Sequence, residues 1–241
     1  MSSNKRPLVI AHRGASGRLP ENTLPAYELA IEMASDCIEI DLHRTRDGHV
    51  VIAHDEELAE LGGKGEIADA SLAEIRQLDA GGGEPVPTLE EVLDQFGRRI
   101  PFNLELKRGT QAAYPGLEAQ ALGAVTSRGL LAETLFSSFY DPVLKELRGL
   151  SSDARLALLI SRRFPDGWPE RARALGAEAL NPEDSLVDEV MIQQAHDQGL
   201  AVYVFTVDAP QRMDALMGWG VDGLFTNHPD RMRSLLEGLQ V

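Results

Sequence analysis

Short apolar runs alternate along this chain with longer stretches whose apolar residues recur at helical spacing. Eight of the short runs read as strands: residues 8–11, 37–42, 102–106, 134–138, 155–160, 178–181, 201–207 and 221–226. Most are nearly continuous in hydrophobicity rather than alternating, which suits strands covered on both faces in a parallel sheet. The stretches between them carry helix punctuation. Thr23 stands where a cap belongs, with Pro25 in the first turn behind it. Ser71-Leu72-Ala73-Glu74 and Thr88-Leu89-Glu90-Glu91 are capping boxes. Gly129, Gly176 and Gly199 each close a helical stretch just before a strand. Eight strand–helix units in 241 residues predict an α/β fold of the (β/α)₈ (TIM) barrel type in preference to an open doubly wound sheet. One segment breaks the alternation. Residues 45–87 hold an extra apolar run, Val50-Val51-Ile52-Ala53, a glycine-rich turn and the first capping box. This predicts a single barrel domain over 1–241 with a small insertion between strand 2 and helix 2, at the barrel mouth.

Composition narrows the partners. The net charge of −15 disfavours nucleic acid and stable association with an anionic membrane. It also repels an anionic substrate, so a phosphate ester would need positive charge supplied within the site. Cys37 is the single cysteine, which excludes an internal disulfide and fits a reducing, cytoplasmic setting. The run at residues 8–11 is too short for a signal-peptide core or a membrane span.

In a barrel of this kind the carboxyl ends of the strands face the active site. The first predicted strand ends in His12-Arg13-Gly14, the second carries Glu39 and Asp41, the insertion carries His54-Asp55, and the third carries Glu105 and Lys107. Later strands end in Ser138, Asn181, Thr206 and Asn227. Glu39 and Asp41 are two apart and therefore share one face of a strand. Two buried carboxylates side by side repel and lose hydration unless a cation lies between them. With Glu105 added, the set suits a hard, oxygen-preferring divalent ion, Mg²⁺ or Ca²⁺. His12 and His54 beside these acids are candidates for acid–base chemistry. Gly14 permits a close approach to a ligand, and Arg13 and Lys107 offer positive charge to a phosphate. Asn22 or Thr23 is expected to cap the following helix, and Glu21 is a candidate to reach the metal indirectly. His43 is placed near the mouth. His49, His196 and His228 read as surface or loop residues.

The order His12-Arg13-Gly14, Pro20-Glu21-Asn22-Thr23, Glu39-Ile40-Asp41-Leu42, His54-Asp55, Glu105-Leu106-Lys107 resembles the glycerophosphodiester phosphodiesterases. Residues 70–75 and 87–91 resemble that family's insertion and helix entry, and residues 225–230 its closing segment. The resemblance implies a (β/α)₈ barrel that hydrolyses glycerophosphodiesters to sn-glycerol 3-phosphate and an alcohol. It implies Glu39, Asp41 and Glu105 as ligands of the divalent ion, His12 and His54 as the acid–base pair, and Arg13 and Lys107 as phosphate-binding residues. Two departures bear on the alcohol. Glu57-Leu58-Ala59-Glu60-Leu61 replaces a family run resembling Arg-Thr-Thr, and Phe205 precedes Thr206 where the family usually has tryptophan. Phe205 keeps an apolar wall for the substrate but has no indole N–H. Two other readings compete with this one. A phospholipase-type diesterase on the same barrel would need an apolar rim, which 5% aromatic content does not favour. A non-catalytic binder would be expected to have lost a histidine or carboxylate, and all are present.

Overall fold

The computed structural model describes residues 6–110 and 112–238. Its strands are β1 (Leu8–His12), β2 (Cys37–Arg44), β3 (Val50–Ile52), β4 (Phe102–Leu106), β5 (Thr134–Ser138), β6 (Arg155–Ile160), β7 (Ala179–Pro182), β8 (Ala201–Val204) and β9 (Gly223–Thr226). All but β3 pair in parallel in the order β1-β9-β8-β7-β6-β5-β4-β2, and β1 also pairs with β2, which closes the sheet into the predicted barrel. The helices that return the chain are α1 (Leu24–Glu32), α3 (Leu89–Phe96), α4 (Leu117–Ser127), α5 (Asp141–Leu150), α6 (Trp168–Leu175), α7 (Glu189–Asp197), α8 (Pro210–Gly218) and α9 (Pro229–Gly238). A short α2 (Leu72–Ile75) belongs to the insertion.

Alternation along each strand divides the apolar residues between two layers. Ile38, Ile40 and Leu42 on β2, Leu104 and Leu106 on β4, and Leu156, Leu158 and Ile160 on β6 pack outward against the helices in one large core. Tyr27 on α1 meets Phe96 on α3 edge to face, with centroids 6.0 Å apart. Both rings are fully buried, and Phe96→Ala would cost about 3–5 kcal/mol through the cavity it leaves. The inward positions at the other end of the barrel are filled by a small cluster, Leu135, Ala157 and Ala179, with Ala201 and Tyr203 against it. That plug leaves the carboxyl ends of the strands free to line a cavity.

The insertion is anchored to the end of β2. β3 runs antiparallel to it, with His43 opposite Val51 and Arg44 opposite Val50, which extends β2 two residues past its apolar run. A second small core holds the insertion together, built from Val51, Ala53, Leu58, Ile67, Ala70, Ile75 and Val86. Both capping boxes form, at Ser71 with Glu74 and at Thr88 with Glu91. Two strands are shorter than their apolar runs. β8 stops at Val204, and Phe205 makes only a single bridge to Glu183. β9 starts at Gly223 because the Val221 N–H still closes α8 on the Leu216 carbonyl.

Candidate active site

A cavity of ≈ 200 Å³ opens at the carboxyl ends of the barrel strands. His12, Arg13, Glu39, His54, Glu105 and Lys107 line it, so the structure brings together most of the residues singled out from sequence. Asp41 lies immediately behind them in contact with Lys107 and Arg13. Phe205 faces the same space.

Glu39, Asp41 and Glu105 are buried, and each offers one carboxylate oxygen within 4.8 Å of the others. The β2–β4 register sets this, placing Asp41 level with Glu105 and Glu39 level with Asn103. Lys107 Nζ lies 2.9 Å from Asp41 Oδ1 and 2.7 Å from Glu105 Oε1. These are charge contacts with poor hydrogen-bond angles, since neither oxygen accepts a well-aligned bond. Arg13 Nε lies 3.1 Å from Asp41 Oδ2, and its Nη1 is bound by Glu21 at 3.0 Å. Among the described residues no Lys or Arg side-chain nitrogen lies within 4.0 Å of the Glu39 carboxylate. One of its oxygens accepts the Arg13 backbone N–H at 3.1 Å, and Oε1 is buried with no partner. Two cations therefore face three buried carboxylates and the further carboxylate of Glu21. The unpartnered Glu39 oxygen and the all-oxygen donor set fit a hard divalent cation.

Protonation follows from this arrangement. Burial, with Asp41 and Glu105 close by, raises Glu39 well above the usual carboxylate range. Burial also resists ionisation of Asp41, but Lys107 and Arg13 outweigh it and hold Asp41 below that range. Glu105 is raised by burial against the opposing pull of Lys107. Burial works against the charge on Lys107, yet Asp41 and Glu105 overcome it and keep the ammonium protonated. His12 is pushed down to about 4 by burial and by Arg13. His54 is lowered by burial and by Lys107, against the carboxylate of Asp55, whose Oδ1 lies 2.9 Å from His54 Nδ1.

Local backbone explains the placements. Arg13 and Asn22 both adopt left-handed φ, at 58° and 57°. At Arg13 this turn brings its N–H onto Glu39. Gly14 follows with φ 83°, and a Cβ there would meet the Ala26 backbone at 2.8 Å. The close approach that Gly14 permits is thus to α1, not to a ligand, which corrects the sequence reading. The capping expectation is also corrected. Thr23 holds the N-cap position of α1 without a side-chain cap bond, and its hydroxyl donates to the Pro20 carbonyl. Asn22 Nδ2 instead donates to Asp41 Oδ2 at 3.0 Å, and Tyr27 donates to Asn22 Oδ1 at 3.2 Å. Glu21 pairs with Arg13, and His43 is buried beneath the insertion, between the Tyr114 hydroxyl at 2.7 Å and the His54 carbonyl at 3.2 Å.

Sequence reasoning missed several lining residues. Asn103 lies two positions before Glu105 on β4, a period-two relation that would have marked it. Phe139, Leu159 and Phe225 carry no such signal. With Phe205 they form an apolar side to the cavity, Phe205 standing edge to face against Phe139 and Phe225 at 5.9 and 6.4 Å.

Residues 12–231 match the glycerophosphoryl diester phosphodiesterase family. The chain belongs to that family. A glycerophosphodiester phosphodiesterase of Caldanaerobacter subterraneus is 32% identical over 240 residues, covering 96% of this chain and 98% of the relative. One from Bacillus subtilis is 32% identical over 262 residues, covering 98% of this chain and 88% of the relative. Among solved structures, a phosphodiesterase of Oleispira antarctica in complex with the product sn-glycerol-3-phosphate is similar, with a TM-score of 0.83 and 33% identity. That match covers 96% of this chain and 97% of the other. Among the described residues of this family member, no helix is long and apolar enough to cross a membrane.

Proposed function

We propose that this chain hydrolyses glycerophosphodiesters to sn-glycerol 3-phosphate and an alcohol, using a divalent ion held by Glu39, Asp41 and Glu105 and an acid–base pair of His12 and His54. The observation that carries the reading is the trio of buried carboxylates, with one oxygen unpartnered, in the wall of a cavity that also receives both histidines. A bound Mg²⁺ or Ca²⁺ would polarise the phosphate and help orient the attacking hydroxyl or water.

The chain's own residues supply the rest. Arg13 and Lys107, together with a bound divalent ion, would offset the carboxylates and let an acidic protein admit an anionic diester. The attacking oxygen must lose a proton as the bond to phosphorus forms, and the departing alcohol oxygen must gain one as its bond to phosphorus breaks. His12, lowered to about 4, is neutral near pH 7 and suited to accept the first proton. His54 is assigned the donor role. Burial and Lys107 hold its proton affinity down, whereas Asp55 and the negative charge of an arriving diester favour its protonated form. The phenylalanine side of the cavity receives the apolar surface of the substrate and helps exclude water. The second reading of the fold, an enzyme acting on intact lipid, has no observation in its favour, and the retained carboxylates and histidines speak against a purely binding role.

The test is release of glycerol 3-phosphate from glycerophosphocholine and glycerophosphoethanolamine, with Mg²⁺ or Ca²⁺ and with EDTA. Release with metal and loss in EDTA is the expected result. No release from either diester with metal present would overturn the activity, and full activity in EDTA would overturn the metal.

A further inference from the structure

Asn227, just past β9, and Asp208, in the loop after β8, have no part in the chemistry above, yet Asn227 is bonded to His12 and Asp208 to Asn227. His12 Nδ1 lies 2.8 Å from Asn227 Oδ1. Asn227 Nδ2 donates to Asp208 Oδ2 at 2.7 Å. Asp208 Oδ1 accepts the Asn227 backbone N–H at 2.8 Å and the Thr226 hydroxyl at 3.0 Å, which fixes the carboxylate in place. The Ser16 hydroxyl lies 2.8 Å from Asn227 Oδ1 and 2.7 Å from the His12 carbonyl, tying the β1 end to the same network.

The bonding order settles the direction of each proton. A carboxylate only accepts, so the Asn227 atom facing Asp208 must be the amide nitrogen, and the atom facing His12 must be the amide oxygen. An oxygen there accepts a proton from the ring. His12 then carries its proton on Nδ1, and Nε2 keeps its lone pair. Among the described residues Nε2 has no protein partner, and His12 lines the cavity. In neutral imidazole the nitrogen that is free to act is chosen by the bond that the other makes.

We infer that Asp208 and Asn227 are positioning residues that lock His12 in the Nδ1–H tautomer, leaving Nε2 as the proton acceptor for the attacking oxygen. The inference rests on the acid–base reading of His12. Its chemistry is a proton transfer alone: the attacking O–H bond breaks, Nε2–H forms, and the resulting positive ring is stabilised through Asn227 and Asp208.

Substitutions that reverse the bonding order test it. Asp208→Asn sets an amide NH₂ against the Asn227 NH₂. The Asn227 amide must then flip, turning its nitrogen to His12 Nδ1 and selecting the wrong tautomer. Asn227→Asp sets two carboxylates against each other. The exchange Asp208→Asn with Asn227→Asp restores the order, because the amide at position 208 now donates to a carboxylate that still accepts from His12. On metal-loaded enzyme with glycerophosphocholine, each single substitution is expected to lower kcat by about 10²–10⁴-fold, the worth of a positioned base, with KM unchanged. The exchange is expected to recover most of that loss. Nitrogen NMR of ring-labelled histidine, with the His12 signal assigned by its absence in His12→Gln, is expected to show Nδ1 protonated and Nε2 bare in the unsubstituted protein. An Nε2–H tautomer there, an unchanged kcat in Asp208→Asn, or an exchange no more active than the singles would each overturn the inference. The NMR result stands even where a substitution at Asp208 or Asn227 fails to fold. Failure of the unsubstituted enzyme to release glycerol 3-phosphate would instead count against the activity, since the tautomer is read without turnover.

Discussion

At the mouth of the barrel, β1, β2, β4 and the insertion present His12, Arg13, Glu39, His54, Glu105 and Lys107, whereas the loops and strands from β5 onward present Phe139, Leu159, Phe205 and Phe225. One side is charged, tightly bonded and short of one cation. The other is apolar and held by edge-to-face contacts. Both surround the same ≈ 200 Å³, so on the proposed function the difference is one of task. Making and breaking bonds to phosphorus needs charge placed to a fraction of an ångström, and strand registers provide that. Holding an alcohol needs shape, which rings supply with weak discrimination of about 1–3 kcal/mol per group. Loss of a residue on the charged side should therefore strike turnover or folding, and change on the apolar side should strike binding.

The largest effect is expected at the histidines. His12→Ala and His54→Ala should each lower kcat by about 10²–10⁴-fold in steady-state assays. If they serve one proton cycle, as proposed, the double substitution should be little worse than either single. Multiplied losses would mean that the two act independently. Next is Lys107→Met, which strips the countercharge from Asp41 and Glu105. Leaving buried carboxylates uncompensated should cost about 3–5 kcal/mol in urea unfolding of the metal-free protein, and less with Mg²⁺ present. An unchanged unfolding midpoint would show that Lys107 is not what holds these acids.

The charged side should also respond to pH. Glu39 is raised by burial and its neighbouring acids, so it keeps a proton above the ordinary carboxylate range. Stability from this group is full below the ordinary Glu value and is lost as pH rises through the raised one. A metal must displace that proton, so its apparent affinity should fall as pH drops through the raised value, by up to about tenfold per pH unit for one proton released. Calorimetric titration of metal at several pH values reads this slope, and a flat profile would mean that Glu39 is already ionised in the metal-free protein. The smallest effect belongs to the apolar side. Phe205→Trp should lower KM for glycerol diesters by about fivefold, worth about 1 kcal/mol, with kcat little changed. An unchanged KM on both glycerophosphocholine and bis(p-nitrophenyl) phosphate would place Phe205 outside the substrate pocket.

The same division governs how much of the molecule was legible in its sequence. Acids at Glu39 and Asp41 inside an apolar run are conspicuous, because burial of charge is costly and demands a reason. Period two then puts them on one face, and the alternation of short and long apolar segments carries the barrel. Apart from Phe205, the apolar side was hidden, since Phe139 or Phe225 in a strand or loop is indistinguishable from core. Asn22 was hidden for another reason. It precedes a helix and so reads as a cap, yet its left-handed backbone turns the side chain inward to Asp41. Asn227 and Asp208 lie 215 and 196 positions from His12, and only barrel closure brings them to it.

Glu39, Asp41 and Glu105 are proposed to form one metal site on which turnover depends. Glu39→Gln keeps the shape and removes the charge at the carboxylate that has no cation beside it. Calorimetric titration of Mg²⁺ and Ca²⁺ into both proteins, paired with glycerophosphocholine turnover, tests the claim directly. The expected result is an ion bound by the unsubstituted protein, with binding and turnover lost together in Glu39→Gln. Metal binding in Glu39→Gln equal to that of the unsubstituted protein, or full turnover without bound metal, would contradict it.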